Sequence, residues 1–170
     1  MLNLAKATGP EFTRAETVTL FNDLCVLAPA ALLDAPVTWL KAGRYHARGS
    51  FSNGPHTVTA ELRFNEDDDL VDFISGDRLR SSSDGKSFTM QRWSTPLHEF
   101  RSSGTRRVCT KGEARWHAPE PEGMFTYIEF NIDSITFNTN ESNNNTPNTP
   151  HNANAVNYSL TTRQANEASS

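Results

Sequence analysis

Apolar and polar residues alternate along the middle of this chain, and the alternation predicts β-strands. The clearest run places four apolar residues on one face: Val58, Ala60, Leu62 and Phe64. The residues between them are polar, which gives the two-residue period of a strand with one buried face. Polar segments rich in Gly, Ser, Asn and Asp separate such runs and predict turns. The pattern predicts a mainly β (α+β) domain, a curved antiparallel meander of about seven strands.

A helical period occurs only before the strands. Thr13 and Glu16 have the spacing of a capping box, which predicts that Thr13 is the N-cap of a helix. Apolar residues follow at intervals of three or four, at Val18, Phe21, Leu24 and Cys25. This spacing gives the N-terminal helix one apolar side. We expect that side to pack against the sheet.

The predicted last strand, residues 124–137, has apolar residues on both faces. One face would hold Met124, Ile128, Phe130 and Ile132, and the other Phe125, Tyr127, Ile135 and Phe137. A sheet with one solvated face does not need a second apolar face. The pattern therefore predicts a hollow or a partner surface in addition to the surface that covers the helix.

The composition of the chain changes near residue 139. From there onward Asn, Ser and Thr dominate, and large apolar residues nearly vanish. Such a segment cannot bury enough apolar surface to offset the entropy lost on ordering. We therefore predict a flexible N-terminus (1–11), a single domain (12–138) and a disordered tail (139–170).

Charge and cysteine content narrow the classes of function. The formal net charge is −4, and no basic cluster is dense enough for a phosphate backbone, so nucleic acid is not an expected partner. Without an export signal or an apolar run of about 20 residues, the sequence predicts a cytoplasmic protein with no membrane span. Cys25 and Cys109 are then buried thiols rather than a disulfide. The spacings of zinc and calcium ligands are missing from the sequence, so no metal or cofactor is expected.

The polar face of the predicted sheet carries acids and bases on neighbouring strands. One interpretation is a solvated face of cross-strand ion pairs, each worth about a few tenths of a kcal/mol. The other places Arg92, Glu113, Arg115 and Glu129 in a cleft, where they would anchor the polar end of a ligand. Glu113 and His117 are also candidates for an acid–base pair.

Several short motifs follow one another in the second half of the chain. They are W-S-T-P-L at 93–97, G-E-A-R-W at 112–116 and P-x-G-x-F-x-Y at 121–127. With these motifs, residues 16–138 resemble an uncharacterised bacterial domain-of-unknown-function family. The resemblance implies that the chain is the C-terminal part of the family domain, with an edge strand left unpaired. It also implies a sheet similar to the half-barrel of bacterial lipoprotein carriers, and it brings no established activity.

Three functions remain open, and binding is favoured. A non-enzymatic binding module would enclose a lipophilic small molecule, apolar or amphipathic, between the helix and the curved sheet. Its predicted ligand-binding residues are Trp39, Arg92, Trp93, Arg115, Trp116, Phe125 and Tyr127. The alternative is an enzyme with acid–base groups in the same cleft, drawn from Glu113, Glu129 and His117. The third is an interaction domain whose second apolar face is covered by an N-terminal partner segment or by a second copy in a homodimer.

Overall fold

The computed structural model describes residues 10–82, 84–103, 106–137 and 156–164. A helix, α1 (Pro10–Leu27), and a 3₁₀ helix (Pro29–Leu33) come first. Eight strands follow: β1 (Val37–Gly43), β2 (His46–Asn53), β3 (His56–Phe64), β4 (Leu70–Ser81), β5 (Phe88–Ser103), β6 (Arg106–His117), β7 (Met124–Phe137) and β8 (Val156–Gln164).

All eight strands form one antiparallel sheet, in which each strand pairs with its neighbours in sequence. Short turns join the first seven strands, and strands joined in this way pair as hairpins. The sheet is curved, and within the described residues β1 and β8 are its edges, so it is not closed into a barrel. The predicted mainly β, α+β class and the antiparallel meander are confirmed, with one strand more than expected.

The additional strand, β8, lies in the segment predicted to be a disordered tail. Val156–Gln164 pairs antiparallel with β7, so for these nine residues the structure differs from the prediction. The sequence here alternates Val156, Tyr158 and Leu160 with polar residues, and an edge strand needs little more than that period and a free neighbour. The rest of the predicted tail and residues 1–9 of the predicted N-terminus lie outside the described residues.

The helix begins earlier than predicted. It is described from Pro10, and Thr13 lies inside it, where the Thr13 carbonyl oxygen accepts a hydrogen bond from Thr17 Oγ1 at 2.8 Å. Proline suits the first turn of a helix, because the N–H that it lacks would have no partner there. The assignment of Thr13 as N-cap is therefore wrong.

The apolar side of α1 packs on one face of the sheet, which we call the helix face. Phe21 is fully buried there, stacked on Phe51 with 5.2 Å between ring centroids and edge-on to Phe73 at 5.4 Å. Gly49 makes this approach possible, because a Cβ at Gly49 would lie 3.3 Å from the Phe21 ring. The opposite side of the sheet, which we call the polar face, carries Glu61, Arg63, Glu113 and Arg115.

Two irregularities explain the apolar residues that the sequence places on both faces of β7. In the pairing of β7 with β6, Tyr127 is an extra residue of β7 that has no partner on β6. In the pairing of β7 with β8, the register shifts between Ile132 and Ser134. Each bulge reverses the alternation of faces. Apolar residues on either side of a bulge, such as Phe125 and Ile128, therefore pack on the same core. The apolar pattern of β7 needs no second buried face.

A third irregularity lies in β4, where the register opposite β5 shifts between Ser75 and Arg78. The Asp77 carboxylate in this bulge accepts a hydrogen bond from the Thr59 backbone N–H at 2.7 Å, in place of a partner in the β-ladder. The shift carries Arg78 and Arg80 to the helix face, where their guanidinium groups lie over aromatic rings.

Candidate functional site

A cavity of about 670 Å³ lies between the helix face of the sheet and the end of α1. Its roof is formed by residues 25–32 of α1 and the 3₁₀ helix. Its floor consists of apolar side chains from β3 to β6: Leu62, Phe64, Leu70, Leu97, Phe100 and Val108. We call this region of the helix face the aliphatic half.

The local sequence explains why the aliphatic half stays open. Pro29 cannot continue α1, and the chain turns into a short 3₁₀ helix over this part of the sheet. The residues beside Pro29 in the roof are small, at Ala28, Ala30 and Ala31. Their methyl side chains are too short to reach the sheet. Elsewhere along α1 the larger side chain of Phe21 fills the corresponding space.

An ion pair stands at the mouth of the cavity. Arg107 Nε donates to Asp69 Oδ1 at 2.7 Å, and this hydrogen bond raises the pKa of Arg107. The Asp69 carboxylate is buried, and its backbone N–H donates to Asn65 Oδ1 at 2.9 Å. Asn65 Oδ1 also accepts from the backbone N–H of Asp67 at 3.0 Å. The acidic turn is therefore held in one conformation beside the cavity.

Both cysteines line the cavity as free, buried thiols, and buried thiols are what the sequence predicts. Burial raises the pKa of the Cys25 thiol to about 12. Burial also raises the pKa of Cys109, whose Sγ donates to the Lys111 carbonyl oxygen at 2.9 Å. Neither cysteine is ionised at neutral pH, so both behave as small apolar groups in the cavity wall.

Four of the aromatic residues predicted to bind a ligand form a packed cluster on the helix face. Trp93 and Trp116 pair across β5 and β6 and are 3% and 8% exposed. Trp93 Nε1 donates to Tyr127 Oη at 3.1 Å, and the Tyr127 ring stacks on Trp116 with 5.8 Å between centroids. Phe125 pairs with Trp116 from β7. We call this cluster, with the two arginines above it, the aromatic half.

Arg78 and Arg80 cover the rings of the aromatic half. The Arg78 guanidinium carbon lies 4.5 Å from the centroid of Trp93, and that of Arg80 lies 4.9 Å from the centroid of Phe125. Arg80 is held by two hydrogen bonds to Glu122, at 2.8 and 2.5 Å. The ring faces that a ligand would need are therefore occupied by side chains of the chain itself.

Trp39 is the member of the predicted binding set that lines the cavity. It lies on β1 and is 48% exposed, at the side of the cavity open to solvent. Its ring approaches the backbone of Gly49 on β2, where an added Cβ would be 3.1 Å from the ring. The structure thus separates Trp39 from the other aromatic residues of the set.

The charged residues predicted for the site lie on the polar face, across the sheet from the cavity. Arg115 Nε and Thr126 Oγ1 both donate to Glu113 Oε2, at 2.8 and 2.7 Å. Burial acts to raise the pKa of Glu113, but these hydrogen bonds outweigh it and hold the pKa below its usual range. Glu129 stands opposite Glu113 in the register, and Arg92 is exposed on β5.

His117 forms a hydrogen bond that the sequence did not indicate. Its Nε2 lies 2.8 Å from Ser94 Oγ, and Ser94 is only 2% exposed. Burial, and then the positive charges of Arg92 and Arg115, lower the pKa of His117. The imidazole is therefore neutral at pH 7 and can share a proton with the serine hydroxyl.

Asp72 is a further titratable group on the polar face, and sequence reasoning missed it. Burial raises its pKa to about 6, against the opposing charges of Arg63, Arg115 and Arg92. Its Oδ1 is buried and has no hydrogen-bond partner in the described part of the chain. The sequence feature that could have indicated it is an acid inside the apolar run Leu-Val-Asp-Phe-Ile. A carboxylate in such a strand is shielded from water by its neighbours.

The polar groups of the molecule set limits on its chemistry. Among the residues that the structure describes, no three His, Cys, Asp or Glu side chains are grouped so that they could hold a metal ion. Within the same ranges, no helix is long and apolar enough to cross a membrane.

The cavity walls are mostly hydrocarbon, and its charged groups lie at the mouth, an arrangement suited to holding a molecule.

Comparison with known proteins places the chain in a family. A family model, described as a family of unknown function (DUF6544), matches residues 1–130, which span α1 and most of the sheet. No curated protein and no solved structure gave a match. The match confirms the resemblance to an uncharacterised family that the motifs indicate. With most of its length matched, this chain belongs to the family of unknown function DUF6544.

Proposed function

We propose that this protein is a non-enzymatic binding module for a small apolar or amphipathic molecule, held in the cavity of the aliphatic half. The observation that carries the proposal is the cavity of about 670 Å³ between α1 and the sheet. Ligand pockets in proteins typically measure about 300–1,000 Å³ and are lined mainly by apolar side chains. The site differs from the predicted one, because its floor comes from β3 to β6 and its lining contains Trp39 alone of the predicted set.

The energetics of the cavity support binding. A void of this size leaves apolar side chains without packing partners, which is unfavourable in a close-packed interior. An apolar molecule that enters gains dispersion contacts with the walls and leaves water. Few polar atoms of the lining would need new partners, since the nearest ion pair, Arg107 with Asp69, is already formed.

Native mass spectrometry of the full chain, compared with the same sample denatured, is the first test. A reproducible additional mass that is lost on denaturation supports the proposal. Titration with the neutral apolar dye N-phenyl-1-naphthylamine provides the second test, and we expect a saturable rise in fluorescence at one site. A chain with no additional mass and no dye binding would overturn the proposal.

A pair of variants locates the binding site. Ala31→Phe places a ring in the roof of the cavity and should weaken dye binding about tenfold or more, because it fills the space that the dye needs. Met90→Phe adds a ring at a position on β5 that is 54% exposed, and should leave binding unchanged. Equal effects of the two variants would place the dye elsewhere.

An enzyme that uses acid–base groups on the polar face is the second candidate, and Asp72 is the observation that favours it. The carboxyl group has a pKa of about 6, near the range that proton transfer at neutral pH requires. The Ser94–His117 hydrogen bond lies on the same face. Of the acid–base residues predicted from sequence, Glu113 and His117 both have lowered pKa values, so both are weaker bases and carry no proton to donate at neutral pH.

Carboxyl titration by ¹³C NMR tests this second candidate. The usual pKa of Asp is 3.8 and that of Asp72 is about 6, so between these values the folded chain binds more protons than the unfolded chain. The contribution of Asp72 to the free energy of unfolding should therefore fall as pH rises from 4 to 6, and the difference between the original chain and Asp72→Asn over this range measures it. Titration of Asp72 near pH 4 would remove the basis for the enzyme.

A further inference from the structure

The mouth of the cavity carries a guanidinium group whose outer edge is open. The guanidinium group of Arg107 has five N–H donors, and the one on Nε donates to Asp69 Oδ1 at 2.7 Å. Within the described residues, its two terminal amino groups have no hydrogen-bond partner. A guanidinium bound through Nε alone still presents those two groups side by side, in the geometry that matches two oxygens of a carboxylate or a phosphate.

The structure also holds this group in place before any ligand binds. Asp69 is buried and is fixed through Asn65, so the carboxylate is a rigid anchor for Nε. The guanidinium carbon of Arg107 lies 5.7 Å from the centroid of Phe100, a ring that lines the cavity. A side chain already ordered loses less entropy when it binds a ligand. Arg107 therefore sits at the boundary between the hydrocarbon lining and the mouth.

From these observations we infer that the ligand is an amphipathic anion. Its hydrocarbon chain lies in the aliphatic half, and its carboxylate or phosphate oxygens bind the terminal amino groups of Arg107. This inference rests on the proposed binding function and adds the charge and position of the polar end.

The acidic turn offers the opposite possibility, a cationic head group. Asp67 and Asp68 are exposed at the mouth, so water and salt screen their charges. Both carboxylate oxygens of Asp69 already accept hydrogen bonds, Oδ1 from Arg107 Nε and Oδ2 from Asn65 Nδ2 at 3.3 Å, whereas Arg107 keeps donors for a ligand. Arg106 and Arg107 are both among the residues that line the cavity, and the Arg107 guanidinium contacts the Phe100 ring of the lining. These differences favour an anionic head group over a cationic one.

Four probes with the same chain length and different head groups test the inference with the full chain. They are dodecanoate, dodecyl phosphate, dodecanol and dodecylamine, each titrated by calorimetry below its micelle concentration. We expect one or both anions to bind about tenfold more tightly than dodecanol, and dodecylamine to bind more weakly than dodecanol. The tighter anion identifies the head group as carboxylate or phosphate.

Variants then assign the effect to Arg107. In the Arg107→Gln variant the anions should bind no more tightly than dodecanol, with all probes measured on that same variant. Arg107→Lys keeps the charge but not the paired donors, and should retain part of the preference. Arg63→Gln, an exposed arginine on the polar face, is the matched control and should change nothing. Asp68→Asn should strengthen anion binding only slightly, because the repulsive charge that it removes is screened.

The outcomes separate this inference from the proposed function. Dodecanol binding without a preference for anions, or an anion preference that survives Arg107→Gln, would overturn the assignment of the head group and leave the binding module standing. Tighter binding of dodecylamine, weakened by Asp68→Asn, would show that the polar end is cationic. Failure of all four probes to bind would overturn both.

Discussion

The helix face of the sheet has two halves that differ in how they are filled. In the aromatic half, Trp93 and Trp116 are buried under Arg78 and Arg80, and both contact Tyr127. In the aliphatic half, the same sheet face and the end of α1 enclose a cavity of about 670 Å³. Both halves are apolar by sequence. The presence of large apolar residues therefore does not by itself indicate a binding site, because a site also needs space that the chain leaves unfilled.

The difference between the halves has two structural causes. The bulge in β4 brings Arg78 and Arg80 over the rings and closes the aromatic half. At the other end, α1 stops at Leu27, and the roof continues with small residues that cannot reach the sheet. Arginines from β4 cover the aromatic half, whereas the small residues of the 3₁₀ helix leave the aliphatic half open.

The largest expected effect is a loss of stability when a side chain of the aromatic half is removed. Trp93→Ala should lower the free energy of unfolding by about 4 kcal/mol, because it removes a buried indole and the hydrogen bond to Tyr127. Urea unfolding measures the change. Trp39→Ala, at a half-exposed position beside the cavity, is the control and should cost about 1 kcal/mol or less. Comparable losses in the two variants would contradict the distinction between a filled and an open half.

The alkylation rate of Cys25 measures how well the wall of the aliphatic half is shielded from water. Because burial raises the pKa of Cys25 to about 12 from 9.0, the fraction of thiolate at pH 8 falls about a thousandfold. Higher nucleophilicity of the thiolate offsets part of this, leaving alkylation by iodoacetamide roughly 30-fold slower than that of free cysteine. The Cys109→Ala variant isolates the rate of Cys25. Alkylation as fast as that of a free thiol would show that Cys25 is not desolvated.

Adding volume should have opposite consequences in the two halves. Ala114→Leu inserts methyl groups into the core beside Trp93 and Trp116 and should destabilise the fold by about 1.5 kcal/mol through overpacking. Ala31→Leu adds the same volume in the cavity roof and should be neutral or slightly stabilising. Thermal unfolding followed by circular dichroism compares the two variants. A larger loss for Ala31→Leu would mean that the cavity is closed in solution.

The smallest expected effect concerns the arginine that covers the aromatic half. Arg78→Met keeps the length of the side chain but removes its charge over Trp93 and its hydrogen bonds to Thr19 and Ala15, which should cost about 1 kcal/mol. Arg63→Met on the polar face removes an exposed ion pair with Glu61 and should cost less than about 0.5 kcal/mol. Chemical denaturation resolves the two values. Equal costs would show that Arg78 contributes no more than a surface charge.

Much of the fold could be predicted from local patterns. The two-residue period from Val58 to Phe64 predicts a strand with one buried face, and the spacing of Val18, Phe21 and Cys25 predicts the packed side of α1. Both signals depend only on how a single element presents its side chains. The start of α1 at Pro10 was missed because the capping-box spacing at Thr13 also fits residues inside a helix, and proline is tolerated in the first helical turn.

The candidate site was much less predictable. Trp93, Trp116, Phe125 and Tyr127 were expected to line a binding hollow because they are large, aromatic and close in the sheet. Which of them touches a ligand depends on what else covers them, and the covering residues Arg78 and Arg80 change face at a bulge. Asp72 was missed for a related reason, since its pKa depends on burial by neighbouring strands.

The sequence by itself determined the class of the fold, the order of α1 and the first seven strands, and the alternation of apolar and polar residues along strands without bulges. Periodicity, turns and helix-breaking residues act over a few positions, so they can be recognised along the chain. The tertiary structure alone decided the bulges in β4 and β7, the pairing of β8 and the position of the cavity. A bulge reverses faces only through the register with a partner strand, and a cavity exists only where two packed elements fail to meet.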